Sequence, residues 1–332
     1  MLDINEYKNK EILVLGGLGF IGSNISHRLV ELGAKVHILD SLNPLYGGNL
    51  FNINGIKDRV SLTIGDIRDE KILAQTIPGK DYIFSFAAQV SPIDSDLMPR
   101  EDLYVNLLGH QKILEACRNY NKNTKILFSS SRMVYGRTKD VSITEESSTS
   151  PINIYAVHKL CVEKYYLNYF KNHGIKSVIA RLTNPYGIRQ QIKHSKYSIP
   201  GWFMRLAMED QLIKIFGDGT QIRDYIYIDD LVEGLLLLML SENSSGEIFN
   251  IGSGVHTKFK DMVESVISAV GKGEIEYVPW PDNYKNIETG DAPVSIEKIK
   301  KLTGWKPKTS IIEGMNKMVE YYRAHKDKYT NT

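Results

Sequence analysis

The chain reads as an α/β protein: a doubly wound parallel sheet with helices on both faces, joined to a smaller mixed α/β region. Three observations point there. Short apolar runs alternate with helix-patterned stretches as far as residue 182. A glycine-rich turn, Gly16-Gly17-Leu18-Gly19-Phe20-Ile21-Gly22, joins the first apolar run to the first helical stretch. An acidic residue, Asp40, closes the second apolar run about 20 positions beyond that turn.

Glu11–Leu15 is apolar without alternation, as a strand covered on both faces must be. Residues 20–32 carry apolar side chains at helical spacing and stop at Gly33, the residue that can adopt the left-handed C′ conformation. Lys35–Asp40 is the second strand. Further strands are expected at 60–64, 82–86, 125–128 and 177–181, with helices at 70–77, 103–119 and 154–173 between them. Residues 231–240 form an apolar helix expected to be capped by Asp229 and Asp230. That run is far shorter than the roughly 20 residues of a membrane span. After Arg181 the rhythm is broken by Pro185, Pro200, Gly201, Gly217 and Gly219. A soft boundary is therefore set at 182: residues 1–182 form a cofactor domain and 183–332 a substrate domain, interleaved where the chain returns to the sheet.

The glycines of the turn serve three physical needs: a tight bend, close approach of backbone to a pyrophosphate, and close helix–strand packing. The following helix start, Phe20, Ile21 and Gly22, offers backbone N–H groups and a positive dipole end. This is the Rossmann-type dinucleotide fingerprint. Asp40 accepts from a ribose 2′-hydroxyl and repels a 2′-phosphate, and no Lys or Arg occurs from Ser41 to Phe51, so the expected cofactor is NAD rather than NADP. Asp66 at the end of the third strand is a candidate adenine contact or a helix cap.

Composition narrows the class. Of 332 residues 42% are hydrophobic and 24% charged, and 41 basic against 39 acidic side chains leave a net charge of +2. Such a balance provides no field for nucleic acid or an anionic membrane. Two cysteines, Cys117 and Cys161, and eight scattered histidines match no disulfide framework or metal-ligand spacing. Residues 2–6 are polar and lack a signal-peptide core. A cytoplasmic protein without a metal is expected.

Tyr155 and Lys159 stand four apart on one helix face. A phenol with an ordinary pKa of about 10 becomes a base near neutrality when a cation lies beside it. Upstream, Phe128-Ser129-Ser130-Ser131-Arg132-Met133-Val134-Tyr135-Gly136 leaves a strand at its carboxyl end, where ligand crevices of such sheets lie. Ser131, Tyr155 and Lys159 behind a dinucleotide turn describe hydride transfer at a secondary alcohol.

With these motifs the sequence resembles the extended short-chain dehydrogenase/reductases, specifically the nucleotide-sugar epimerases and dehydratases, of the UDP-glucose 4-epimerase kind. The resemblance also rests on Asp66-Ile67, Phe86-Ala87-Ala88-Gln89, Arg181-Leu182-Thr183-Asn184-Pro185-Tyr186-Gly187 and Gly217-Asp218-Gly219-Thr220-Gln221-Ile222-Arg223-Asp224-Tyr225, and it spans nearly the whole chain. It implies that Ser131, Tyr155 and Lys159 are catalytic. It implies that Gly16, Gly19, Phe20, Ile21, Gly22, Asp40, Asp66, Ile67, Ala87, Ala88 and Asn106, with Tyr155 and Lys159, hold NAD. It further implies that Gln89, Ser131, Asn184 and Arg223 meet the substrate, a nucleotide-diphosphate sugar. Asn184 could instead be a turn residue before Pro185, and Arg223 could instead pair with Asp224.

Dehydratases of this family carry Asp-Glu directly after the position of Ser131; here stand Arg132 and Met133. Elimination is therefore disfavoured, and C4 epimerisation through a transient 4-keto sugar leads, ahead of C2 epimerisation or a 4,6-dehydratase. Retention of both Tyr155 and Lys159 speaks against an NAD-sensing regulator on the same fold. Arg132 is expected to select a polar or anionic group near sugar C5 or C6; the alternatives are solvent or a pair with Glu145 or Glu146. Residues 190–197 and 278–290 are expected to shape the sugar pocket. The helices at 103–119 and 154–173 resemble those of a four-helix homodimer interface, with Tyr165, Tyr166, Leu167, Tyr169 and Phe170 covering either the partner or the parent domain.

Overall fold

A computed structural model describes residues 2–43 and 46–330. The chain runs β1 (Glu11–Leu15), α1 (Phe20–Glu31), β2 (Lys35–Asp40), β3 (Val60–Ile64), α2 (Glu70–Thr76), β4 (Tyr82–Ser85), α3 (Pro92–Leu97), α4 (Pro99–Asp102), α5 (Gly109–Tyr120), β5 (Lys125–Ser131), α6 (Ile154–His173) and β6 (Lys176–Leu182). It continues through β7 (Asn184–Tyr186), α7 (Ile199–Met208), β8 (Ile213–Phe216), β9 (Ile222–Tyr227), α8 (Ile228–Leu240), β10 (Glu247–Ile251), β11 (His256–Lys258), α9 (Phe259–Val270) and β12 (Ile275–Val278), then α10 (Asp282–Ile287), α11 (Glu297–Thr303) and α12 (Ile311–His325).

The main sheet has seven parallel strands in the order β10-β6-β5-β4-β1-β2-β3. Alternation within β1 explains its unbroken apolar sequence. Ile12 and Val14 enter a core shared with α1 and α8, while Leu13 and Leu15 enter the opposite core with α2, α5 and α6. The strand order reverses between β1 and β4, and crevices form at the carboxyl ends on either side of such a switch. The smaller elements are a β11-β9-β7 sheet and a β12-β8 pair. Residues 247–251 return to the main sheet beside β6.

Three local expectations are corrected. β5 does not end at Phe128 but continues through all three serines, because its pairing with β6 runs on to Ser131 opposite Leu182. The helix expected over 103–119 opens with a π-helical turn, Leu103–Leu108. That wider turn places Asn106 against Gln89: the Gln89 amide donates to Asn106 Oδ1 at 3.0 Å, and Asn106 Nδ2 donates to the Gln89 carbonyl at 2.8 Å. α8 starts at Ile228 with Tyr227 as its N-cap, so Asp229 and Asp230 lie in the first turn and do not cap it. Asp230 Oδ2 accepts instead from the Thr309 amide at 2.8 Å. Among the described residues no helix is long and apolar enough to cross a membrane.

Candidate active site

A cavity of about 740 Å³ opens at the carboxyl ends of β1, β4, β5 and β6. Its floor at β1 is the glycine turn. Gly16 has φ +78°, and a Cβ there would sit 2.7 Å from the Ala87 amide nitrogen. A Cβ on Gly22 would sit 2.2 Å from the Gly16 carbonyl oxygen. Glycine is therefore required at both places by contact, not by convention. α1 begins at Phe20 behind Gly19, an N-cap with no side chain, which leaves its first amides without a side-chain cap, while Phe20 and Ile21 line the cavity. An uncapped helix start behind a turn whose one side chain, Leu18, is buried in the core fits the pyrophosphate of a dinucleotide.

Asp40 braces this turn. Its Oδ2 accepts from the Leu18 amide at 2.9 Å and its Oδ1 from the Leu42 amide at 2.8 Å. Burial raises its pKa, and these amides oppose that shift. Two amides leave a carboxylate with further lone pairs for a ribose hydroxyl. Asp66 is gripped by Arg68, through Nε at 3.0 Å and Nη2 at 2.8 Å. It does not cap α2, whose N-cap is Asp69. Asp40, Asp66 and Ile67 stand at the β2–β3 side, beyond the cavity lining.

At β5 and α6 the structure brings Ser131, Tyr155 and Lys159 to one wall. Asn153 caps α6 through the Ala156 amide at 2.9 Å, and the Tyr155 amide donates to Ser95 Oγ at 3.1 Å, which sets the helix start. Lys159 Nζ lies 5.7 Å from the centre of the Tyr155 ring and 4.8 Å from that of Phe128, and donates to the Ser129 carbonyl at 2.8 Å. Burial pulls the Lys159 pKa down to about 8, against the pull of Asp102 and Glu163. Burial pushes the Tyr155 pKa upward, while a hydrogen bond with Ser131 favours its phenolate. Burial and the Asp102 charge thus favour the protonated phenol, and Ser131 opposes them.

Two buried carboxylates behind this wall went unnoticed in the sequence. Asp102, fully buried, accepts from Asn106 Nδ2 at 3.0 Å and pairs with His158 Nδ1. Glu163 receives Arg181 in a two-pronged pair, Nη2 to Oε2 at 2.7 Å and Nε to Oε1 at 2.9 Å, and Ser130 donates to it as well. Both stand four residues from a residue already singled out, Asn106 and Lys159 respectively, so helical spacing alone could have found them.

The other candidate residues are distributed around the cavity. Ala88, Arg132, Asn184 and Arg223 line the cavity; Ala87, Gln89 and Asn106 lie behind it. Gln89 is buried and its side-chain amide turns to the Ser91 backbone. Asn184 Nδ2 donates to the Asp224 carbonyl at 2.7 Å. Arg223 pairs with Glu288, not with Asp224, and also donates to the Gly290 carbonyl at 2.7 Å. Asp224 is occupied by Thr183, Ser253 and Gly254. Arg132 meets neither Glu145 nor Glu146; its Nη1 donates to Thr289 Oγ1 at 3.0 Å. Members of both 190–197 and 278–290, including Gln190, Tyr197, Trp280 and Tyr284, form the opposite wall.

Fold and site together define a Rossmann-type α/β scaffold with Ser131, Tyr155 and Lys159 on one wall of a cavity that also takes in the glycine turn. A family profile described as GDP-mannose 4,6 dehydratase matches residues 13–318. The human dTDP-D-glucose 4,6-dehydratase is 31% identical over 331 residues, covering 97% of this chain and 92% of its own. UDP-glucose 4-epimerase from Thermotoga maritima, solved with UDP-glucose, superposes with a TM-score of 0.86 at 31% identity over 95% of this chain and 99% of its own. UDP-glucose 4-epimerase from Thermus thermophilus, solved with NAD, gives 0.84 at 29% identity over 94% and 99%. The chain belongs to the nucleotide-sugar epimerase/dehydratase family of extended short-chain dehydrogenase/reductases.

Proposed function

We propose that the protein is an NAD-dependent nucleotide-sugar epimerase that inverts C4 through a transient 4-keto sugar. One observation favours this over elimination. Among the described residues lining the cavity Glu288 is the sole carboxylate, and it is bound to Arg223 and to the Gly290 amide. Loss of water across C5 and C6 needs an acid and a base besides Tyr155; inversion at C4 needs neither.

NAD, when bound, supplies an acceptor that takes the hydride of the sugar carbon and returns it. Gly16, Gly19, Gly22 and the α1 start hold its pyrophosphate in this reading, with Asp40 toward the ribose. Tyr155 removes the proton from the C4 hydroxyl and gives it back after the keto sugar has turned. Lys159 stabilises the phenolate in between, and Ser131 orients the reacting oxygen. Asn184 and Arg223 anchor the diphosphate, so the sugar can rotate about a fixed end. Incubation of the NAD-loaded protein with UDP-glucose and dTDP-glucose should give the galacto epimer by chromatography. A 4-keto-6-deoxy product or inversion at C2 would replace this reading.

We also propose a homodimer through α5 and α6. Tyr166 and Tyr169 do not take part: both are buried, with Tyr166 stacked on Phe128 and bonded to His110. An apolar stripe remains, with Tyr104 and Leu108 on one helix and Val157 and Tyr165 on the other, each more than a third exposed. Light scattering should return twice the protomer mass, and a monomer at micromolar concentration would sink the idea.

A further inference from the structure

Five cationic side chains line the cavity: Arg132, Lys159, Lys196, Lys214 and Arg223. Four of them have an evident partner. Lys196 pairs with Asp94, Lys214 with Glu276 and Arg223 with Glu288. Lys159 stands against the Tyr155 ring. Arg132 is different. It is partly buried, it has no ion pair among the described residues, and its recorded side-chain bond goes to the neutral hydroxyl of Thr289. Burial lowers its pKa to about 10 and the nearby Arg223 adds to that, while the carboxylates of Glu288 and Asp224 pull the other way from beyond ion-pair distance, engaged with Arg223 and with Thr183, Ser253 and Gly254. A guanidinium drawn out of water beside a second guanidinium is costly unless an anion completes it.

The backbone of Arg132 directly follows Ser131 on the reacting wall, and its guanidinium reaches across to Thr289, the neighbour of the Glu288 that holds Arg223. Arg223 already offers a guanidinium on the facing strand β9 for a diphosphate. The planar fork of an arginine matches the two oxygens of a carboxylate.

We propose that Arg132 receives a carboxylate on the sugar, so that the substrate class of this cavity is a nucleotide-diphosphate uronate. This rests on the nucleotide-sugar reading above and deepens it. A carboxylate at C5 would pair with Arg132 while the diphosphate pairs with Arg223.

Calorimetry on the NAD-loaded protein with UDP, UDP-glucose and UDP-glucuronate, and with the dTDP counterparts, tests this without depending on turnover. The glucuronate should bind roughly 10- to 100-fold more tightly than the glucose form of the same nucleotide. Arg132→Ala should collapse that ratio toward one, and Arg132→Lys should restore part of it. Equal affinity of the wild-type protein for the two sugars would overturn the proposal. So would an Arg132→Ala loss that is the same for diphosphate, glucose and glucuronate, which would make Arg132 a diphosphate clamp. Failure of every diphosphate to bind would instead remove the nucleotide-sugar reading beneath it.

Discussion

Tyr155→Phe is expected to lower turnover about 10²- to 10⁴-fold, the usual weight of a positioned acid/base. The variant should still purify with its cofactor, since the glycine turn and the α1 start are untouched. The size follows from the geometry. Burial disfavours the phenolate and Ser131 opposes that shift, with the Lys159 ammonium 5.7 Å from the ring centre in the proposed role of stabilising the ion. Phenylalanine fills the same space with no proton to exchange, and no other described lining residue near Ser131 can substitute: Arg132 has no free base and Met133 cannot titrate. The measurement is epimer formation under saturating substrate, alongside the cofactor content of the denatured protein. Turnover within tenfold of wild type would remove Tyr155 from the chemistry.

Glu163→Ala should destabilise the protein by about 3–5 kcal/mol, because it leaves the Arg181 guanidinium buried without its carboxylate. Arg181 is 2% exposed and lies over the Tyr135 ring at 4.7 Å, so water cannot replace the lost partner. Urea unfolding followed by circular dichroism reads the change. Replacing the pair together, Glu163→Leu with Arg181→Met, should recover most of the loss, since the cost lies in the orphaned charge rather than in the missing attraction. A single-variant effect below about 1 kcal/mol would mean that the cavity floods and solvates the arginine. The substitution also reaches the active wall. Glu163 supports the charged form of Lys159, so its removal should lower the Lys159 pKa further. It also frees Ser130, which lies between the serine that holds Lys159 and the serine that meets Tyr155.

Much of this molecule was legible in one dimension. The glycine turn, Asp40, Tyr155 and Lys159 were found because each is part of a short pattern whose spacing equals a spatial step: a turn, a strand length, one helical turn. α6 matches its expected span, Ile154–His173, since its start is capped by the adjacent Asn153 and its end by Gly174 in the left-handed conformation. The same local arithmetic would have exposed Asp102 and Glu163. It could not orient α6. Tyr165, Tyr166, Tyr169 and Phe170 are alike in chemistry, and only packing against Phe128 and His110 turns Tyr166 inward.

Chain order therefore settled six of the seven strands of the main sheet, its glycine floor and the Tyr/Lys pair, since those depend on contacts within one or two neighbouring elements, whereas the strand order and the return of β10 beside β6 were decided by the fold. The partners of the charged groups belong to the folded state. Arg223 meets Glu288 across 65 residues, Arg137 holds the carbonyls of Lys285, Asn286 and Glu288, and Asp224 turns away from its neighbour to residues 183, 253 and 254. Electrostatic pairing depends on distance and burial in three dimensions, and sequence separation carries neither. The same reason makes Arg132 informative. Its residue type was evident from the start, but its lack of an ion pair among the described residues shows only once the neighbouring carboxylates, Glu288 and Asp224, have been assigned to other groups.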